Sequence, residues 1–177
     1  VGVSLSLAII FGFAVTFFIL KYRRLAPYVI NTTNLLMTVP SIALFALMLP
    51  LLSVVGIGIG KAPAIIALTL YSLVPIIRNT YTAIINIETT IIDAAQVLGM
   101  SSWRILWEVK LPIAVPAILG GIHTAAIMNI GFAALAEYIG GGGLGVLIVQ
   151  GISNAFPMMI LAGAIIVSLL AIVTDIL

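Results

Sequence analysis

The chain has 177 residues, 63% of them hydrophobic and 7% charged, with a mean hydropathy of +1.37. A soluble domain carries roughly 25% charged residues, so this chain lacks the polar surface to coat a water-soluble globule and reads as an integral membrane protein. Seven basic residues against five acidic ones, and no cysteine, exclude a dense nucleic-acid-binding surface, a disulfide framework and a thiolate metal site.

Five apolar segments follow in chain order, all expected to be helices. The first is Val1–Leu20, closed by Lys21, Arg23 and Arg24. It lacks the basic start and the small-residue cleavage site of a signal peptide and reads as a span. The second covers about residues 28–55 and is interrupted by Pro40 and Pro50. The third, about 63–87, contains Pro75 and Arg78; the fourth runs over about 113–138 and the fifth over about 157–177. Twenty residues at 1.5 Å each span about 30 Å, the thickness of the hydrocarbon core. The runs are continuous rather than alternating and much longer than about 10 residues, so helices are predicted and not a barrel. Val1 is not a methionine and Leu177 ends the chain inside an apolar run, so residues 1–177 are expected to form one transmembrane domain of a longer protein.

Placing Lys21, Arg23 and Arg24 inside puts Arg78, Arg104 and Lys110 inside as well, and leaves only Lys61 outside. That bias orients the chain, with Asp93–Pro112 in the cytoplasm and Gly140–Gly145 outside. Asp93–Pro112 (DAAQVLGMSSWRILWEVKLP) is a polar island holding Asp93, Arg104, Glu108 and Lys110. Thr90-Ile-Ile-Asp93 fits a capping box with Thr90 as N-cap. Ile91, Ala94, Ala95 and Leu98 then share one helical face, with alanines that permit close approach of another backbone. Gly99 stands where a glycine ends a helix. Ser101 or Ser102 is placed to cap a second short helix through Trp103, Leu106 and Trp107, until Pro112 opens the next span. An interfacial hairpin anchored by the tryptophans and a protein-docking helix both fit this pattern.

The island resembles the cytoplasmic EAA loop of ABC importer permeases, whose pattern is EAA, three residues, G, nine residues, I, one residue, LP. Here Asp93-Ala94-Ala95, Gly99, Val109 and Leu111-Pro112 fall at the same spacing, with Asp for Glu and Val for Ile. KYRRLAPYVINTTNLLMTVPSIALFALMLPLL, LYSLVPIIRNTYTAI and ALAEYIGGGGLGVLIVQG further resemble permeases of the osmoprotectant, or quaternary amine, branch. The resemblance implies an all-α, polytopic fold of type I importer architecture, similar to the methionine-importer permeases. It implies a bacterial inner-membrane protein that forms the translocation pathway for glycine betaine, choline, carnitine or similar solutes. Asp93, Ala94, Ala95, Leu98, Gly99, Leu111 and Pro112, within a loop spanning 88–112, would couple it to ATP-binding cassette subunits. The implied partners are those ATPases, a second permease copy (identical or homologous), an extracytoplasmic binding protein or fused domain, and membrane lipid. No enzymatic role, catalytic residue, metal or cofactor is expected in this chain, ATP and Mg being expected on the ATPase. A methionine-type permease is the alternative within the class; an ion-coupled transporter or channel is the alternative outside it. An intramembrane enzyme lacks support, since H-E-x-x-H and G-x-S-x-G are absent.

Other candidate residues are weighed against this frame. GIGIGKA at Gly56–Ala62 is not a phosphate loop, because Val55 stands where glycine is needed and Ala62 where Ser or Thr is needed. Asn34, Thr38 and Ser41 are spaced to share a face beside Pro40, which permits a kink; they are candidates for helix–helix contact or for the pathway wall. Asn129 is a candidate for the same two roles, and Glu137 either faces the outer vestibule or pairs with Lys61. Gly140–Gly145 reads as a connector or as an irregular segment at the outer mouth, the resemblance favouring the latter, and Gly141 and Gly145 fit G-x-x-x-G. His123 is expected near the cytoplasmic end of the fourth segment with a structural role, having no second His, Cys or neighbouring carboxylate in the sequence. Arg78 at mid-bilayer would cost about 2.5–3.5 kcal/mol, so it belongs at the inner interface or against protein.

Overall fold

A computed structural model describes residues 1–54 and 56–176. Val55 and Leu177, the expected limits of the second and fifth segments, lie outside them. Among the described residues four helices are long and apolar enough to cross a membrane, and a bent pair raises this to five if it forms one span. The order is α1 (Gly2–Lys21), α2 (Ala26–Thr38), α3 (Ser41–Ser53), α4 (Lys61–Ile85), α5 (Thr89–Val97), α6 (Ser102–Ile105), α7 (Leu111–Leu135), α8 (Gly145–Ser153) and α9 (Pro157–Ile176).

The expected second span is broken, not kinked. α2 and α3 meet at 103°. The proline ring of Pro40 disfavours helical geometry at the residue before it, and Val39 is extended, with φ −72° and ψ 124°. Asn34 and Thr38 therefore lie on one helix and Ser41 on another, so the common face expected of them does not form. The break frees the Val39 carbonyl, which accepts a hydrogen bond from the Tyr71 hydroxyl of α4 at 2.6 Å. The Tyr71 ring packs on Phe132 of α7 at 4.8 Å between centroids, which holds the hydroxyl in place.

α4 is the central helix, packed between α1 and α7. Glycines set both contacts. A Cβ on Gly12 of α1 would sit 2.7 Å from Ile76, and one on Gly121 of α7 would sit 2.8 Å from Asn79 Cβ and 3.0 Å from the Pro75 carbonyl. Such close approach lets dispersion hold helices that gain no hydrophobic advantage over lipid by associating. Deep in the same seam, fully buried Asn129 donates from Nδ2 to Ser72 Oγ at 2.8 Å and to Ser4 Oγ at 3.0 Å. The Ser4 hydroxyl passes its own proton to the Val1 carbonyl at 2.8 Å. One amide thus ties α1, α4 and α7 together.

At one end of the bundle the two glycine-rich turns meet, the Gly60 N–H donating to the Ile139 carbonyl at 2.9 Å. The chain then forms α8, a helix absent from the sequence reading, although the apolar run Val146–Val149 signals it. Gly145 lies against the Ala134 carbonyl, so no side chain fits there. Gly151 packs on Ile160 and Gly163 on Ile148, closing α8 and α9 into a hairpin. α9 otherwise touches mainly α7 and is almost entirely exposed.

The packing predicts a sharp contrast between adjacent glycines. Gly121→Ala should destabilise by about 1–3 kcal/mol, the cost of overpacking. Gly120→Ala meets nothing within 4 Å and should be neutral or stabilising by up to ~1 kcal/mol. Thermal unfolding of the two variants in detergent checks this, and equal melting temperatures would contradict the seam. Tyr71→Phe should also lower the melting temperature, by the ~0.6 kcal/mol typical of a hydrogen bond within a membrane.

Candidate functional site

The polar island sits at the end of the bundle opposite the glycine turns, where α4 ends and α7 begins. Its first helix, α5, is capped by Glu88, with φ −52° and ψ 132°, and not by Thr90. Thr90 lies in the first turn and its hydroxyl donates to the Glu88 carboxylate at 3.3 Å. The expected capping box does not form, because the helix starts before Thr90 reaches the cap position. The Glu88 carboxylate still places negative charge at the positive end of the helix dipole.

The C-terminus of α5 is a Schellman turn. The Gly99 N–H donates to the Gln96 carbonyl at 2.9 Å and the Met100 N–H to the Ala95 carbonyl at 3.1 Å. Gly99 has φ +78°, which only glycine adopts without strain. Ser101 then caps α6, its Oγ accepting from the Arg104 N–H at 3.4 Å. Arg104 and Glu108 pair at 2.8 Å along the exposed side, and the carboxylate raises the Arg104 pKa through that bond.

α7 starts at Leu111, beside the expected start at Pro112, but no break in the helix precedes it. Residues Ser102 to Ile139 form one continuous helical rod of 38 residues. A π-helical stretch, Leu106–Lys110, joins α6 to α7, and the Leu111 N–H reaches back five residues to the Leu106 carbonyl. Pro112 has no N–H and its ring clashes with the carbonyl four residues back in an α-helix; the wider turn ahead of it accommodates both. Leu111 and Pro112 therefore belong to the same continuous helical run as Trp103.

Asp93, Ala94 and Pro112 are exposed, and Leu111 is half-buried. Leu98 is 80% exposed and Val97, not singled out from the sequence, 87%. Ala95 is 5% exposed, so it faces this chain and leaves the outward stripe to Ile91, Ala94 and Leu98. The Asp93 carboxylate has no side-chain partner among the described residues.

The pathway candidates scatter. Asn34, Thr38 and Pro40 are exposed around the helix break, and Ser41 is half-buried beyond it. Asn129 is fully buried and bonded to Ser4 and Ser72, so within this chain it joins helices and faces no open surface. Glu137 accepts the Gly142 N–H at 2.9 Å, so its carboxylate orders the glycine loop and forms no pair with Lys61 among the described residues. Arg78 is exposed on α4.

His123 differs most from expectation. It lies at the middle of α7, not near its start, and its Nε2 is 3.4 Å from Asp175 Oδ1 on α9. The contact is too oblique for a hydrogen bond. Fifty-two positions separate the two residues, so nothing local in the sequence could signal the encounter. Among the described residues no cluster suited to a metal ion exists.

Comparison with known proteins places this geometry. Residues 4–177 match the family described as binding-protein-dependent transport system inner membrane component. The chain is 48% identical to the osmoprotectant import permease protein OsmW of Salmonella typhimurium, over 99% of this chain and 81% of that protein. It is 40% identical to the glycine betaine/carnitine/choline transport system permease protein OpuCB of Bacillus subtilis, over 99% and 76%. It is 42% identical to the choline transport system permease protein OpuBB of the same organism, over 88% and 69%. In fold it is similar to a chain of the inward-facing MetNI methionine ABC transporter, with a TM-score of 0.83, 24% identity, and coverage of 98% and 85%. By matched family and by relatives along nearly its whole length, the chain belongs to the inner membrane components of binding-protein-dependent transport systems.

Proposed function

We propose that this chain is the permease subunit of an ATP-driven importer of osmoprotectants such as glycine betaine, carnitine or choline. The similarity to osmoprotectant and choline permeases at 40–48% identity supports the solute class. Two permease copies would enclose the pathway in a bacterial inner membrane, an extracytoplasmic binding protein would deliver solute, and ATP with Mg would act on separate ATPase subunits.

The observation that carries the reading is the exposed face of α5 followed by the Gly99 turn and a rod that runs into α7. An exposed apolar stripe in water is costly unless a partner covers it. Ile91, Ala94 and Leu98 form that stripe, and the spacing from Asp93 to Pro112 fits a groove-binding loop of this family. The backbone stays helical from α6 into α7, which gives force applied to α6 a continuous path to α7. ATPase closure would therefore move α7, with α4 and α1 carried along through Gly121 and Asn129, as a rigid-body change of access.

Leu98→Asp tests the docking face. Leu98 is largely solvent-exposed, so the substitution should leave folding intact while placing a charge in the docking groove. A buried hot spot is worth roughly 2 kcal/mol, about thirtyfold in affinity. ATP-driven uptake of labelled glycine betaine in proteoliposomes containing the ATPase and binding protein should drop by a similar factor. Wild-type uptake by that variant would sink the docking assignment, and uptake without any ATPase would favour an ion-coupled transporter.

Gly99→Arg should abolish uptake more completely, because it adds strain at φ +78° to a bulky cation at the turn. Parallel assays with labelled choline, carnitine and methionine assign the solute. Methionine uptake with no betaine uptake would overturn the osmoprotectant reading while leaving the permease reading in place.

A further inference from the structure

A groove of about 940 Å³ opens between the end of α1 and the polar island. Basic and aromatic side chains line it together, from the end of α1 and from the Ser102–Lys110 stretch. Lys21, Arg23 and Lys110 line it, with no carboxylate among the lining residues. Phe17, Trp103 and Trp107 supply an aromatic wall, Phe17 stacking on Trp107 at 5.8 Å and Trp107 meeting Trp103 edge-on at 5.5 Å.

The cations are not neutralised internally. Lys21 and Arg23 are exposed, and no ion pair engages any of the three among the described residues. Burial and the nearby Arg23 guanidinium push the Lys110 pKa down, as expected of an ammonium with like charge beside it and no counterion. The other charged pair of the island, Arg104 with Glu108, is already satisfied within itself.

We propose that this groove binds an anionic phospholipid, its phosphate between Lys21, Arg23 and Lys110 and an acyl chain along Phe17 and Trp107. Basic pockets between helices at the cytoplasmic side are suited to such headgroups, and tryptophans sit at headgroup depth. A free anion would leave the aromatic wall uncovered. The ATPase is disfavoured by the geometry of α5. At 100° per residue, Ile92 and Gln96, which line the groove, point roughly opposite to the Ile91–Ala94–Leu98 stripe. The inference goes beyond the transport reading and is independent of the solute.

The test is native mass spectrometry of the full-length permease–ATPase complex in neutral detergent. It is titrated with phosphatidylglycerol or with phosphatidylcholine of the same chains. Phosphatidylglycerol should bind with at least tenfold preference. Lys21→Gln with Lys110→Gln should reduce its affinity about fivefold for each cation removed and leave phosphatidylcholine unchanged. Lys21→Arg with Lys110→Arg should keep the preference, which separates loss of charge from misfolding. Lys61→Gln, at the other end of α4, should have no effect.

Equal affinity for the two lipids would overturn the proposal, as would a preference that survives the double Gln variant. Full competition by inorganic phosphate at equal concentration would assign the groove to a free anion instead. A preference seen with the full-length permease alone but lost in the complex would assign it to the ATPase. None of these results bears on solute uptake, so they remain separate from the fate of the transport reading.

Discussion

The bundle depends on close approach at α4. In lipid, an apolar side chain gains little by leaving one hydrocarbon environment for another, so helices associate through fit and internal hydrogen bonds. α4 supplies both. It meets Gly12 on one side and Gly121 on the other, and its Ser72 joins the Asn129 amide that also reaches α1. About 61% of its most apolar window is buried within this single chain, against 6% for α9. That difference divides the molecule into a fixed core of α1, α4 and α7 and a periphery whose apolar faces await lipid or partners.

The same core gives the polar island mechanical meaning. α7 is not an independent span placed beside a loop. It is the continuation of α6 through a π-helical stretch, and its inner seam is locked to α4 through Gly121. The proline that ends the EAA-like pattern thereby acts as a joint geometry rather than a break: it removes one hydrogen bond and forces a wider turn, yet the rod persists. Two proposed binding surfaces converge on this short region. One face of α5 exposes Ile91, Ala94 and Leu98, and on another Ile92 and Gln96 line the groove that also holds Lys21, Arg23, Lys110 and the two tryptophans.

The opposite end is organised by close backbone approach and one carboxylate. Gly60 bonds to Ile139, and the Glu137 carboxylate holds the Gly142 N–H. Gly145 lets α8 rest against α7 with no side chain between them. The glycine loop, open between a connector and an irregular outer segment in the sequence, is pinned at three points, and the helix after it folds back as a hairpin on α9. The acid that was a candidate for the pathway is occupied in holding this turn.

Composition and period were enough to read the membrane class, the helical character of the apolar segments and the glycine turn after α5, because each follows from hydropathy or from local backbone preference; α8 and the division of the second segment were not read from them. The spacing from Asp93 to Pro112 was legible for the same reason: it is a short-range pattern. The break at Val39 was half legible, since Pro40 announces it, but the Tyr71 hydroxyl that takes up the freed Val39 carbonyl lies 32 positions away. Thr90 failed as a cap because the helix extends two residues further back, to Thr89 with Glu88 as the cap. The Asn129 triad, the His123–Asp175 encounter and the basic groove were invisible, since each joins residues from helices far apart in the chain. Local chemistry determines which segments become helices and where they stop; which of their polar groups meet is decided only when the helices pack.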